Sequence, residues 1–292
     1  MRTAGYLGFC IVFRLGLAAA QPELAARQPS APPDTDETLQ RELFDVAAAK
    51  LPVQAALVML DLGDGRRTVM NPTLAKRRLT PASTFKIPNA LISLEAGVVP
   101  KGPMKWDGVV RSRAPWNHDH DLASAMRDSV VWYFQALARS VGAPRMKAAL
   151  ERFDYGNRDI SAGIDQFWLE KTLLISADEE VDFLRKLVLA SDGKPGGLPV
   201  TQAHAQEVLR IIERDRRDGA VFRGKTGTAG GGVAWLVGET EWNGRRTVYA
   251  AVVTCPPSEL DTIIAGRDAW VRRMLVRLGA LPPSMRTAPE PR

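Results

Sequence analysis

Ser83 and Lys86 stand one helical turn apart in Pro81-Ala82-Ser83-Thr84-Phe85-Lys86, at the start of a stretch, 84–96, with helical apolar spacing. Positions i and i+3 share a helix face, so the lysine amine can reach the serine hydroxyl. A serine hydroxyl becomes a useful nucleophile when a neighbouring base takes its proton, and a helix N-terminus favours the negative charge that develops. The chemistry this pair could do is acyl transfer through a covalent serine intermediate. An isolated S-x-x-K is common by chance. Ser191-Asp192-Gly193-Lys194 also fits it, but Gly193 and Pro195 mark that copy as a turn.

Two further segments gain meaning from their order. In Ser129-Val130-Val131, followed by Trp132-Tyr133-Phe134, Ser129 reads either as a proton-relaying hydroxyl with Val131 as an apolar wall, or as part of a buried helix. Lys225-Thr226-Gly227 follows the strand-like Val221-Phe222-Arg223-Gly224. Lys225 and Thr226 could bind a carboxylate, and Gly227 would let a substrate backbone approach. The plainer alternative is an exposed strand ending in the turn Gly230-Gly231-Gly232. In this order the segments resemble the S-x-x-K, S-D-N and K-T-G elements of penicillin-binding proteins and class A β-lactamases, except that Val131 stands where Asn would be.

That exception, with Pro81-Ala82-Ser83-Thr84-Phe85-Lys86-Ile87-Pro88-Asn89-Ala90-Leu91, resembles the class D serine β-lactamases. Lys105-Trp106-Asp107-Gly108, Tyr155-Gly156-Asn157 and Gly163-Ile164-Asp165-Gln166-Phe167-Trp168-Leu169-Glu170 resemble the same family, over about residues 55–280. The resemblance implies hydrolysis of the β-lactam amide bond of penicillin-type antibiotics through a Ser83 acyl-enzyme. Lys86 would carry CO2 as N6-carboxylysine and serve as general base, Ser129 would relay protons, and no metal would be needed. An apolar pocket of Val131, Trp168 and Leu169, with Phe134, would favour the neutral amine that CO2 attacks, and the Trp168 indole N–H would donate to the carbamate. The backbone N–H groups of Ser83 and Thr228 would form the oxyanion hole, and Lys225, Thr226, Gly227 and Arg267 would bind the substrate. Thr228 departs from the aromatic or aliphatic residue often found there, which leaves the cleft width open.

Two other assignments compete. Glu170 could be a base of the class A kind, but its place beyond Trp168 in the family pattern makes it structural. His118, His120 and His204 lack H-x-x-x-H spacing and read as surface residues rather than metal ligands.

The elements that must position these residues follow from periodicity. Glu37–Leu51 has helical spacing. Ala55–Leu60 and Arg67–Met70, around Gly63-Asp64-Gly65, read as a hairpin. Helical periods dominate 120–215. Strands return at 221–226, 233–240 and 246–254, with Asn243-Gly244 as a hairpin turn, and Asp268–Leu278 is the last helix, placing Arg267 just before it. Strands at both ends joined by hairpins predict an α+β fold: an α/β/α sandwich on an antiparallel sheet, with an inserted all-helical lobe and a cleft between.

The N-terminus reads as an export signal, with Arg2, an apolar run from Tyr6 and a small-residue site at Ala20. Domains are expected as a signal peptide at 1–20, a proline-containing disordered leader at 21–38, a catalytic domain at 39–282 and a tail at 283–292, with the mature protein periplasmic or secreted and without a membrane span. The net charge of +6 is spread along the 292 residues with no basic stripe, which argues against nucleic-acid binding. Cys10 falls in the signal, leaving Cys255 as a small core residue. The partners implied are small β-lactams, for a monomer or homodimer. The rivals are a penicillin-binding transpeptidase or carboxypeptidase and a β-lactam sensor domain, both of which acylate but deacylate slowly.

Overall fold

The computed structural model describes residues 53–169 and 172–289, together with Met1. The expected signal, leader and Glu37–Leu51 helix, and Glu170, lie outside the described residues.

Six strands form one antiparallel sheet in the order β2-β1-β6-β5-β4-β3. They are β1 (Gln54–Asp61), β2 (Arg67–Met70), β3 (Glu213–Arg217), β4 (Ala220–Ala229), β5 (Val233–Trp242) and β6 (Arg245–Thr254). The central strands are apolar at nearly every position because both faces are covered. Val58, Trp235, Val237, Ala250 and Val252 face the main helical core. Leu57, Leu236, Tyr249, Ala251 and Val253 face a second core on the other side, as period-two alternation requires. The hairpin between β5 and β6 turns through Asn243 (φ 51°) and Gly244 (φ 71°), the left-handed pair of a type I′ turn.

In the described residues the helices are α1 (Pro72–Lys76), α2 (Lys86–Glu95), α3 (Leu122–Arg127), α4 (Val131–Val141), α5 (Ala143–Phe153), α6 (Ala177–Ser191), α7 (Gln202–Ile211) and α8 (Leu260–Arg277). Helix α2 is the axis of the main core, buried from Lys86 to Ser93. Its Asn89 donates to the Phe134 carbonyl at 3.2 Å, fixing α4 beside it. On the opposite face α8 buries Ile263, Trp270, Val271 and Leu275 against the sheet. The expected α+β sandwich is what is observed.

Two boundaries differ from expectation. Residues 213–217 are an edge strand, although the helical stretch was expected to run to 215. The segment Glu-Arg-Asp-Arg-Arg has no apolar face to reveal a strand, and charged side chains are how sheet edges resist further pairing. Helix α8 begins at Leu260, so Arg267 lies inside it rather than before it. Gly266 and the charges around it hide the helical period there. Beyond Leu281 a 3₁₀ turn, Pro283–Met285, buries Met285. Cys255 is free and buried, as expected. Among the described residues no helix is long and apolar enough to cross a membrane.

Candidate active site

Ser83 lies in a 3₁₀ turn, Ala82–Phe85, that runs directly into α2. Ala82 has φ 49°, a left-handed conformation that costs a residue with a Cβ about 1–2 kcal/mol. It is held by Thr84, whose N–H donates to the Pro81 carbonyl at 3.2 Å. The Lys86 ammonium nitrogen stands 2.8 Å from Ser83 Oγ and is itself fully buried. It also sits 5.5 Å from the centre of the Phe134 ring. Burial, helped by the positive charge of Arg113, lowers its pKa to about 7.

A second lysine–serine pair faces the first. Ser129 occupies a left-handed turn (φ 57°) between α3 and α4. Lys225 on β4 donates to Ser129 Oγ at 3.0 Å and to the Thr226 carbonyl at 3.0 Å. Burial pushes the Lys225 pKa well down, and Lys86, Arg214 and Arg267 add repulsion. Ser129 is therefore a half-buried turn residue, not part of a buried helix. Val131 follows as the half-buried first residue of α4.

Strand β4 supplies the remaining wall. Gly224 N–H donates outward to Ile212 O, and strand alternation puts the N–H of Thr226 and Thr228 on that same edge. The Ser83 N–H, in the first turn of its helix, has no intrahelical acceptor. Arg267 reaches over from α8, donating to Gly227 O at 2.9 Å and Thr228 Oγ1 at 3.1 Å. Its Nε is buried without a hydrogen-bond partner, and burial lowers its pKa to about 10. Gly227 has a packing reason beside the one expected. A Cβ there would lie 2.6 Å from Pro81 O and 2.9 Å from Thr84 Cγ2, so the glycine admits the turn that carries Ser83 against β4.

The segment after α5 brings Trp168 in. Gly156 (φ 54°) passes so close to the Leu174 carbonyl that no side chain fits. Asn157 then closes the loop, accepting from Leu174 N at 2.9 Å and donating to Thr172 O at 2.7 Å. The Thr80 hydroxyl donates to Trp168 O at 3.1 Å, and the indole stacks on Phe85 with centroids 5.3 Å apart. Trp168 is fully buried, yet its indole N–H has no partner among the described residues. Leu169 is half-buried and packs against the main core.

One participant is not visible in the sequence. Glu180, in the first turn of α6, is buried and accepts from the Thr84 hydroxyl at 2.8 Å and the Tyr155 hydroxyl at 3.0 Å. Burial raises its pKa to about 7. In Asp178-Glu179-Glu180 it reads as one of three solvated acids at a helix start. Only the apolar spacing of Ala177, Val181 and Leu184 around it hinted at an inward position. Of the histidines, His204 pairs with Glu95 at 2.6 Å at the surface, whereas His120 is fully buried, contrary to expectation. Its ring nitrogens meet Pro115 O and Ser124 Oγ, which is how the interior accepts it.

The penicillin binding protein transpeptidase domain family matches residues 25–267. Beta-lactamase OXA-2 of Salmonella typhimurium is 36% identical over 253 residues, covering 85% of this chain and 88% of that protein. Probable beta-lactamase YbxI of Bacillus subtilis is 44% identical over 185 residues, 62% of this chain and 67% of its own. Among solved structures, class D beta-lactamase BAT-2 superposes with a TM-score of 0.70 at 35% identity, covering 82% of this chain and 95% of that one. A class D beta-lactamase from Sebaldella termitidis gives a TM-score of 0.74 at 28% identity, with 84% and 96% covered. Sequence and fold agree: the chain belongs to the class D β-lactamases.

Proposed function

We propose that this protein hydrolyses the β-lactam amide bond through an acyl-enzyme on Ser83. The observation that carries the reading is the Lys86 amine, fully buried, near its neutral form and 2.8 Å from Ser83 Oγ. Ser83 Oγ attacks the lactam carbonyl while its proton leaves toward the Lys86 side chain. The N–H groups of Ser83 and Thr228 take the developing oxyanion. As the C–N bond breaks, the ring nitrogen takes a proton from the Ser129 hydroxyl, which Lys225 polarises, and the proton that left Ser83 passes from Lys86 to replace it. Lys225, Thr226 and Arg267 attract the substrate carboxylate. Water then attacks the Ser83 ester and restores the enzyme.

Lys86 is also the residue we assign to N6-carboxylysine. The fit rests on its buried amine, whose pKa is lowered to about 7, and on the buried Trp168 N–H that has no acceptor among the described residues. Bound there, CO2 supplies an anionic oxygen as the base. Ser83, Lys86 and Ser129 are thus the catalytic residues of the proposal, and Val131, Trp168 and Leu169 the pocket around the amine. The N-terminal apolar run supports export to the periplasm or medium, with cleavage near Ala20. The test is hydrolysis of nitrocefin by the purified protein. Repeated turnover is expected; a single stoichiometric burst would instead mark a slowly deacylating transpeptidase or sensor.

A further inference from the structure

We propose that His118, His120 and Asp128 form a binding site for one divalent transition-metal ion of the zinc kind, separate from the acyl-transfer residues. His118, in a bend, and His120, in an isolated bridge, lie two residues apart. The segment is fixed by reciprocal backbone bonds between Met104 and His120, at 2.7 and 3.1 Å. The two rings lie 4.0 Å apart, centre to centre. Asp128 approaches from the end of α3, immediately before Ser129. One donor atom from each of the three residues lies within 4.8 Å of the other two. Tetrahedral zinc with bonds of 2.0–2.1 Å separates its ligands by about 3.3 Å, within reach of small side-chain rotations.

Backbone carbonyls hold one nitrogen of each ring. His118 Nδ1 is 2.7 Å from Asp119 O, and His120 Nε2 is 2.9 Å from Pro115 O. A carbonyl only accepts, so those nitrogens carry the protons, leaving lone pairs on His118 Nε2 and His120 Nδ1. Anchoring the second ring nitrogen on a backbone carbonyl is the outer-shell arrangement of metal-bound histidine. His120 Nδ1 faces Ser124 Oγ at 3.1 Å, a hydroxyl that an ion can displace. Arg127 pairs with Asp128 at 3.0 Å, but its side chain is 69% exposed, and such a surface pair offers little resistance. Two imidazoles and a carboxylate suit zinc and copper(II) better than magnesium or calcium, with water completing the shell. An ion here would tie the loop carrying His118 to the turn that sets Ser129.

Calorimetric titration of the purified protein, free of any affinity tag, with zinc chloride tests the site. Saturation at one ion per chain is expected, with the affinity lowered at least about tenfold in His118→Ala and in Asp128→Asn and unchanged in His204→Ala. Zinc should also raise the melting temperature of the wild type and not of His118→Ala. His118 is exposed, so its variant keeps the fold. Absence of saturable binding, or binding that survives both substitutions, overturns the proposal.

Discussion

The carboxylate of Glu180 accepts the hydroxyl proton of Thr84, the neighbour of Ser83, at 2.8 Å inside the core. Tyr155 donates to the same oxygen, so one acid ties the nucleophile turn to α6 and to the loop that carries Trp168. Its carboxyl ionises near 4.5 in the unfolded chain and near 7 in the fold. Between those values the folded state holds a proton that the unfolded state has released. Stability therefore falls as pH rises through this window, and the full cost is present above about 7. At ~1.4 kcal/mol per pH unit, that cost is on the order of 3 kcal/mol. Glu180→Gln keeps an acceptor for both hydroxyls and removes the charge. Its melting temperature should change several degrees less between pH 5 and pH 8 than that of the wild type. Parallel melting curves for the two proteins across that range would refute the assignment.

Gly227→Ala should separate the two reasons for a glycine at that position. The new methyl would meet backbone at Pro81 and the Thr84 methyl, so β4 and the nucleophile turn must part. A shift of about 1 Å at the reacting groups costs on the order of 100-fold in rate, and overpacking costs about 1–3 kcal/mol of stability. The variant should lose turnover and stability together. Loss of substrate affinity alone, with kcat and melting temperature intact, would restore the substrate-approach reading.

The reacting residues were legible because each belongs to a short pattern: Ser83 with Lys86 one turn on, Lys225 with Thr226 and Gly227 on a strand. The sheet was legible where hairpin turns bracket apolar runs. Strand β3 was not, because its one inward acid, Asp215, is balanced by Arg272, 57 positions away and 2.8 Å distant. The role of Glu180 escaped for the same reason: its partners, Thr84 and Tyr155, come from other segments. Arg267 was expected just before its helix and lies within it, since a central glycine interrupts the period.

Trp168→Phe removes the unpartnered indole N–H while keeping most of the stack on Phe85. With ¹³C-labelled bicarbonate, the wild type should show a carbamate signal assignable to Lys86, and the variant should lose it at low bicarbonate and regain it as bicarbonate rises. Turnover should follow, with a deficit of about 10²–10⁴-fold at low bicarbonate, as for a lost general base. Lowering the pH through about 7 protonates the Lys86 amine and should weaken both signal and activity, while added bicarbonate opposes the loss. An unchanged signal in Trp168→Phe would show that the indole has no part in holding the group.

The central claim is that Ser83 Oγ becomes acylated. Intact-mass and peptide analysis after brief exposure to a slowly hydrolysed β-lactam measures this directly. The account predicts one added acyl group per chain, on the peptide containing Ser83, and none in a folded Ser83→Ala variant, which should also lose hydrolysis. An acyl group on another residue, or full hydrolysis by Ser83→Ala, would contradict it.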